Sequence, residues 1–360
     1  MRTSNKINAG RFFEDFTLNE VIQHATPRTI TAGDSSLYIA LTGSRNPLHC
    51  SMPFAQTLGY STAPVDDLLA FHIAFGKTVP DISVNAVANL GYADVRFLQP
   101  VFVGDTLSTS SEVIGLKQNS NGKNGVVYVR STSVNQHGEP VLSWVRWVMV
   151  HKNNADAPAP ETFIPDLPAF VAPADLNIAP LFSANNFDAR NTGGQYFWED
   201  YQPGERINHP SGMTINDSDH SLATRLYQNN ARLHFDGHAM QSSTFGKRLV
   251  YGGVVISTCR ALSFEGLENA LSILAINAGT HANPCFAGDT IYTFTEVLES
   301  WELPGRNDAA ALRLRMVGIK NMHPAEISEI KQFNSYHPNV VLDLDYTVLM
   351  PKRNHSKGNK

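Results

Sequence analysis

The sequence predicts an α+β protein built twice from one unit, a curved antiparallel sheet wrapped around a mostly buried helix. Three observations lead there. First, sliding the chain along itself brings short blocks into register at an offset of 185. Glu14-Asp15-Phe16 falls on Glu199-Asp200-Tyr201, Thr29-Ile30 on Thr214-Ile215, and Leu48-His49 on Leu233-His234. One residue is then lost, and Pro100, Phe102, Gly104, Asp105 and Thr106 meet Pro284, Phe286, Gly288, Asp289 and Thr290. Chance identity at any position is only about 5–7%, so ordered blocks broken by a single gap mark a duplication. Second, the end of each copy alternates with the period of a strand. Trp144, Arg146, Val148 and Val150 share one face; Leu342, Leu344, Tyr346 and Val348 share another, with Asp343, Asp345 and Thr347 opposite. Third, residues 151–180 hold six of the 20 prolines and no periodicity, the composition of a semi-rigid connector.

Each copy opens on a short polar-capped helix, Thr31-Ala-Gly-Asp34 before SSLYIALTG and Asn216-Asp-Ser-Asp219 before HSLATRLYQ. An irregular segment follows, then a more apolar helix near Val65–Val79 or Gly252–Leu267. Four or five strands complete the unit, joined by turns such as Gln136-His-Gly-Glu that suit antiparallel neighbours. The division expected is a first domain at 1–152, a proline-rich linker at 153–185, a second domain at 186–350 and a polar tail at 351–360. Phe163, Ile164, Leu167, Phe170 and Val171 suggest that the linker lies over a domain surface. His24 with His209, and Asp34 with Asp219, match as repeats and read as polar residues that position the fold.

Composition narrows the function. A chain of 360 residues is long for one domain, and 42% hydrophobic with 17% charged residues is that of a packed protein. With 28 basic against 33 acidic groups and no basic cluster outside the tail, no nucleic-acid partner is expected. No apolar run is long enough for a membrane helix and the start lacks a signal-peptide core, so a soluble cytoplasmic protein is expected. Cys50, Cys259 and Cys285 are too few for a disulfide framework and read as small buried hydrophobes. His220, His234 and His238 show no metal-ligand spacing, and no metal is expected. Neither a GxxxxGK nor a GxGxxG loop nor a G-x-S-x-G elbow occurs, so no nucleotide cofactor or serine nucleophile is indicated.

The chemistry concentrates at the repeated Leu-His, within LTGSRNPLHC (41–50) and LYQNNARLHF (226–235). These segments resemble the hydratase motif of the MaoC-like hot-dog family, the (R)-specific enoyl-CoA hydratases. RFLQPVFVGDTL (96–107) and its echo HANPCFAGDTI (281–291) resemble that family's strand pair. With FFEDF near the start and LHF in the second copy, the chain is most similar to double-hot-dog mesaconyl-CoA hydratases, over roughly residues 10–350. The resemblance implies a double hot dog and a hydro-lyase that converts an enoyl-CoA to a 3-hydroxyacyl-CoA, coenzyme A entering only as part of the substrate. Two fused domains can pair internally, so one chain is already a pseudo-dimer, and further association into a homodimer is expected. In the family motif an Asp stands five residues before the His; here Ser44 and Asn229 hold those places, so neither copy keeps it.

The family also implies a glycine at the start of the long helix, whose N–H serves the thioester oxygen. The second copy has Val250-Tyr251-Gly252-Gly253 there and the first has Val65-Asp66-Asp67-Leu68. A helix N-terminus offers unpaired N–H groups to a developing enolate, and two aspartates would repel it. One site is therefore expected, around the second copy. His234 moves the proton, Asn229 orients water and Gly252 donates to the enolate. Tyr251, Gly253, Arg232 and Asp236 are assigned to substrate binding, Arg232 or Arg225 for a substrate carboxylate. Asp236 could also fix the imidazole or replace the missing carboxylate. Lys247 and Arg248 are the candidates for the coenzyme A phosphates. Asp66 and Asp67 read as helix caps, and His49 with Asn46 as a relic. An acyl-CoA thioesterase and a non-catalytic acyl-CoA-binding protein are the alternatives, since one fold hosts several functions.

Overall fold

Twice along the chain a short strand pair leads into helices and then into four strands, in a computed structural model that describes residues 6–353. Most of the expected polar tail lies outside the described residues. The first round runs β1 (Val21–Gln23), β2 (Arg28–Thr29), α1 (Ala32–Thr42), α2 (Pro47–Cys50), α3 (Met52–Thr57) and α4 (Asp67–Ile82). Its long strands are β3 (Ala86–Phe97), β4 (Thr106–Gln118), β5 (Asn124–Val134) and β6 (Pro140–His151). The second runs β7 (Arg206–Asn208), β8 (Met213–Thr214), α5 (Asp217–Leu226), α6 (Gly237–Met240) and α7 (Gly252–Leu262). Then come β9 (Ile273–Thr280), β10 (Thr290–Glu302), β11 (Ala309–Lys320), a small hairpin β12 (Lys331–Gln332) and β13 (Ser335–Tyr336), and β14 (Val340–Pro351).

Local chemistry explains the starts and stops. Thr31 and Asp34 form a reciprocal capping box on α1, which Gly43 ends at φ 69°. Asp66 caps α4 by accepting the Leu68 N–H at 3.0 Å. Asp67, expected as a second cap, instead reaches across and accepts the Ile273 N–H at 2.8 Å. The helix expected over Gly252–Leu267 stops at Leu262, and the remainder is turns. Cys50, expected buried, is exposed, whereas Cys259 and Cys285 are buried.

The long strands join one twelve-stranded sheet in the order β1-β4-β5-β6-β3-β9-β14-β11-β10-β7, with β2 on β4 and β8 on β10. The halves meet where β3 pairs antiparallel with β9, Tyr92 opposite Gly279 and Ala93 opposite Ala278. Inward residues of both halves close over α4 and α7, the α+β double hot dog. Leu68, Leu69, Phe71 and Ile73 of α4 are each 1% exposed or less, and burial of such a side chain contributes about 1.5–3 kcal/mol. Outward, Asp343 and Asp345 of β14 pair with Arg315 and Arg313 of β11.

Equivalent residues of the two rounds do equivalent work. Thr29 meets Thr106 and Thr214 meets Thr290, each pair at 2.7 Å. His24 Nε2 binds Ser111 Oγ at 2.7 Å, and His209 Nε2 binds Thr295 Oγ1 at 2.9 Å. His72 of α4 and Ser257 of α7, themselves 185 positions apart, touch each other at 3.1 Å. Two matching positions in mutual contact mark the axis that relates the rounds. The segment between them is extended; Phe163 exchanges both backbone hydrogen bonds with Leu116, and Phe170 packs at a tilt on Trp301, ring centroids 5.4 Å apart. Its Val171 is buried, while Phe163 and Ile164 remain half exposed. Among the described residues no helix is long and apolar enough to cross a membrane.

Candidate active site

A cavity of about 340 Å³ lies where the two rounds meet. The second round contributes Asn229 and His234, Tyr251 and Gly252 at the head of α7, and His281 beyond β9. The first contributes Phe75 and Val79 from α4, Asn89 and Tyr92 from β3, and Arg146 from β6. None of the lining residues is Asp or Glu. Among the described residues no group of three or more His, Cys, Asp or Glu could hold a metal ion.

His234 is nearly buried, with Nδ1 3.1 Å from the Leu249 carbonyl oxygen. A carbonyl only accepts, so the proton sits on Nδ1 and the Nε2 lone pair is free to take one. Burial, against the hydrogen bond to Leu249, pushes the His234 pKa down to about 4, so the ring is neutral near pH 7. Tyr251 packs edge-on against it, ring centroids 5.3 Å apart. Asn229 is buried with its Oδ1 accepting the Ala231 N–H at 3.0 Å. Its Oδ1 is thus occupied, and its Nδ2 is the group left to donate.

At the head of α7 no side chain caps the helix, because Tyr251 stands at the cap position. The Gly252 N–H is an open donor at the positive end of the helix dipole. Glycine is required there by a neighbouring ring. A Cβ on residue 252 would lie 2.3 Å from His281 Cε1 and 2.4 Å from Nε2. His281 in turn is held by Tyr92, its Nε2 3.0 Å from the phenol oxygen. Gly253 faces elsewhere: a Cβ there would meet Tyr251 and His72, and the residue is not on the cavity wall.

The matching place in the first round is filled. The space beside His49, Asp66, Asp67 and Arg260 is only about 20 Å³. The Asp66 carboxylate crowds the head of α4, accepting the Leu68 N–H, and Asp67 Oδ2 stands 3.8 Å from His49 Nε2. Burial, against the attraction of His49, pushes Asp67 up to about 6. Asn46 is spent on the Leu48 N–H and the Leu271 carbonyl.

Of the residues singled out from sequence, Asn229, His234, Tyr251 and Gly252 come together on one wall. Arg232 and Arg225 are exposed and outside it. Asp236 caps α6, accepting the Ala239 N–H at 3.0 Å, and is likewise not on the wall. Lys247 and Arg248 line a separate surface depression; Lys247 lies over the Phe286 ring at 4.2 Å and Arg248 is bonded to Asp217 and Ser221. Sequence reasoning missed Tyr92, His281 and Arg146. The signal for Arg146 was present: it is the one charged residue in the inward row Trp144, Arg146, Val148, Val150.

A family model described as MaoC like domain matches residues 15–135. The chain is 56% identical to the beta-methylmalyl-CoA dehydratase of Chloroflexus aurantiacus over 350 residues, 97% of this chain and 99% of that one. It is 52% identical to the mesaconyl-CoA hydratase of Cereibacter sphaeroides over 349 residues, covering 96% of this chain and 100% of the relative. The crystal structure of a putative MaoC domain protein dehydratase from Chloroflexus aurantiacus superposes with a TM-score of 0.95 at 56% identity, covering 98% and 100% of the two chains. A Mycobacterium tuberculosis protein with a double hotdog fold matches at TM-score 0.71 and 23% identity over 95% of this chain and 98% of that one, a likeness of fold.

Proposed function

The chain belongs to the MaoC-like double-hot-dog hydratase family of these relatives, and on that footing we propose that it reversibly adds water to an enoyl-CoA thioester. Mesaconyl-CoA and β-methylmalyl-CoA, the compounds in the relatives' names, are the substrate pair. The observation that carries the reading is the pairing, on one cavity wall, of a neutral histidine with an uncapped helix start.

In the hydration direction His234 Nε2 takes a proton from water as the water oxygen bonds to C3. The C2=C3 π pair moves through C2 and C1 onto the thioester oxygen, where the Gly252 N–H and the α7 dipole meet the charge. The imidazolium then returns the proton to C2, which restores the carbonyl and the neutral histidine. Asn229, with only Nδ2 left to donate, orients the water oxygen. The reaction so written draws on no cofactor beyond the coenzyme A of the substrate. A thioesterase, the competing reading, would use a carboxylate to direct water at the carbonyl, and no carboxylate lines the cavity. A cytoplasmic homodimer completes the proposal; light scattering on the purified chain reads the dimer.

The deciding assay follows loss of enoyl-thioester absorbance with mesaconyl-CoA and crotonyl-CoA separately. His234→Ala should lower kcat by about 10²–10⁴-fold and leave acyl-CoA binding nearly intact. No absorbance change with either thioester and wild-type protein would overturn the hydratase reading in favour of an acyl-CoA-binding protein.

A further inference from the structure

Arg146 is fully buried, and its protein partners are all neutral. One guanidinium nitrogen donates to Thr78 Oγ1 at 2.8 Å and another to Ser83 Oγ at 3.4 Å. The Nε–H has no partner, and the Phe75 ring lies under the group at 4.3 Å. Among the described residues Arg146 makes no ion pair. Burial lowers its pKa only to about 10, so the charge persists near neutral pH. A charge taken out of water without a counter-charge is among the costliest features a core can carry. Asn89, on the same cavity wall, has both Oδ1 and Nδ2 buried and unpaired. Two unsatisfied polar side chains facing one cavity that holds no acid describe a socket for an anion.

The socket lies near the reacting atoms. Arg146 sits opposite Tyr92 in the β3–β6 ladder, and Tyr92 holds His281 against Gly252. By the other wall, the Phe75 ring that carries the guanidinium is 6.1 Å from Tyr251, which packs on His234. An acyl group whose thioester oxygen faces Gly252 and whose C3 faces His234 therefore extends its far end toward Arg146.

We propose that Arg146, with Asn89 as second donor, binds the free carboxylate of a dicarboxylic acyl-CoA and makes this cavity select such thioesters over those with an apolar chain end. The inference rests on the hydratase reading and names the group that fixes its substrate class. It also gives the first round a role in that site, because both residues belong to β3 and β6.

Succinyl-CoA and butyryl-CoA, non-reacting thioesters that differ by a carboxylate against a methyl, separate recognition from turnover. By calorimetry the wild-type chain should bind succinyl-CoA at least about 100-fold more tightly, as a site built around a polar group rejects an analogue that lacks it. Arg146→Met, an unbranched apolar replacement, should abolish that preference while butyryl-CoA affinity stays the same or rises. Arg146→Lys should retain part of it. A wild-type chain without the preference, or an Arg146→Met chain that keeps it, overturns the proposal. Should Arg146→Met fail to fold by circular dichroism, Asn89→Leu takes its place, with about a tenfold loss of preference expected and none overturning it. Intact preference without hydration of either enoyl-CoA would remove the hydratase reading and leave the carboxylate socket standing.

Discussion

Gly252→Ala tests how the head of α7 is built. The added Cβ would stand 2.3–2.7 Å from three atoms of the His281 ring, where carbon contacts normally settle near about 3.5 Å. Either the ring or the helix start must withdraw by about 1 Å. The ring is tied to Tyr92 through its Nε2 at 3.0 Å, so the helix start has to take much of the shift. A catalytic group misplaced by about 1 Å can lose about 10²-fold in rate, and removal of one oxyanion donor costs about 10²–10³-fold. Overpacking costs about 1–3 kcal/mol, against a gain of about 0.5–1 kcal/mol from replacing glycine in a helix. The expected variant is thus a folded chain, less stable by at most about 2.5 kcal/mol by the difference of those terms, with kcat down about 100-fold. Absorbance kinetics with thermal melts on the same preparation read both numbers. A Gly252→Ala enzyme with kcat within threefold of wild type would refute the assignment of this N–H to the thioester oxygen.

His49→Ala should leave kcat within about twofold while lowering Tm, because the ring is enclosed beside Asp67 and lost hydrogen bonding costs about 0.5–1.5 kcal/mol; a large fall in kcat with unchanged Tm would restore the first round as a catalytic centre. Stability should fall as pH drops from about 6.5 to 4. Burial, the first cause for each, holds His209, His234 and His281 at about 4 and His72 at about 3. In that window the unfolded chain binds protons the folded chain refuses, each histidine removing up to about 1.4 kcal/mol per pH unit. Asp67, raised to about 6, works the other way, one group against four. Urea midpoints at pH 7.0, 6.0 and 5.0 should decline, and a flat series would contradict the burial of these rings.

Much of the site was legible in the sequence because its parts are local. The capping box of Thr31 and Asp34 sits three residues apart, so its geometry is fixed by one helix turn. Asp343 and Asp345 alternate with inward residues along β14, and the strand period alone puts them outside. His234, Asn229 and Gly252 lie in segments that the repeat aligned and that the resemblance to the hydratase motif marked. Tyr92 and His281 were not legible in this way: they are 189 residues apart, and only the β3–β9 pairing brings them together. Arg232 illustrates the opposite error. Nearness in sequence to His234 suggested a substrate contact, but a short helical turn sends the two side chains apart, one to the cavity wall and one to solvent.

The sequence by itself determined that there are two copies of one unit, roughly where α1, α4, α5 and α7 start, and which copy carries glycine instead of aspartate at the long helix. Those properties follow from backbone preference and periodicity, which act over a few residues. Only the tertiary structure decided that the cavity belongs to both copies. Strand pairing and the closure of α4 against α7 set Arg146 and Asn89 of one copy facing His234 and Gly252 of the other. The reason for the glycine was likewise a matter of packing: the His281 ring occupies the space where a side chain would stand.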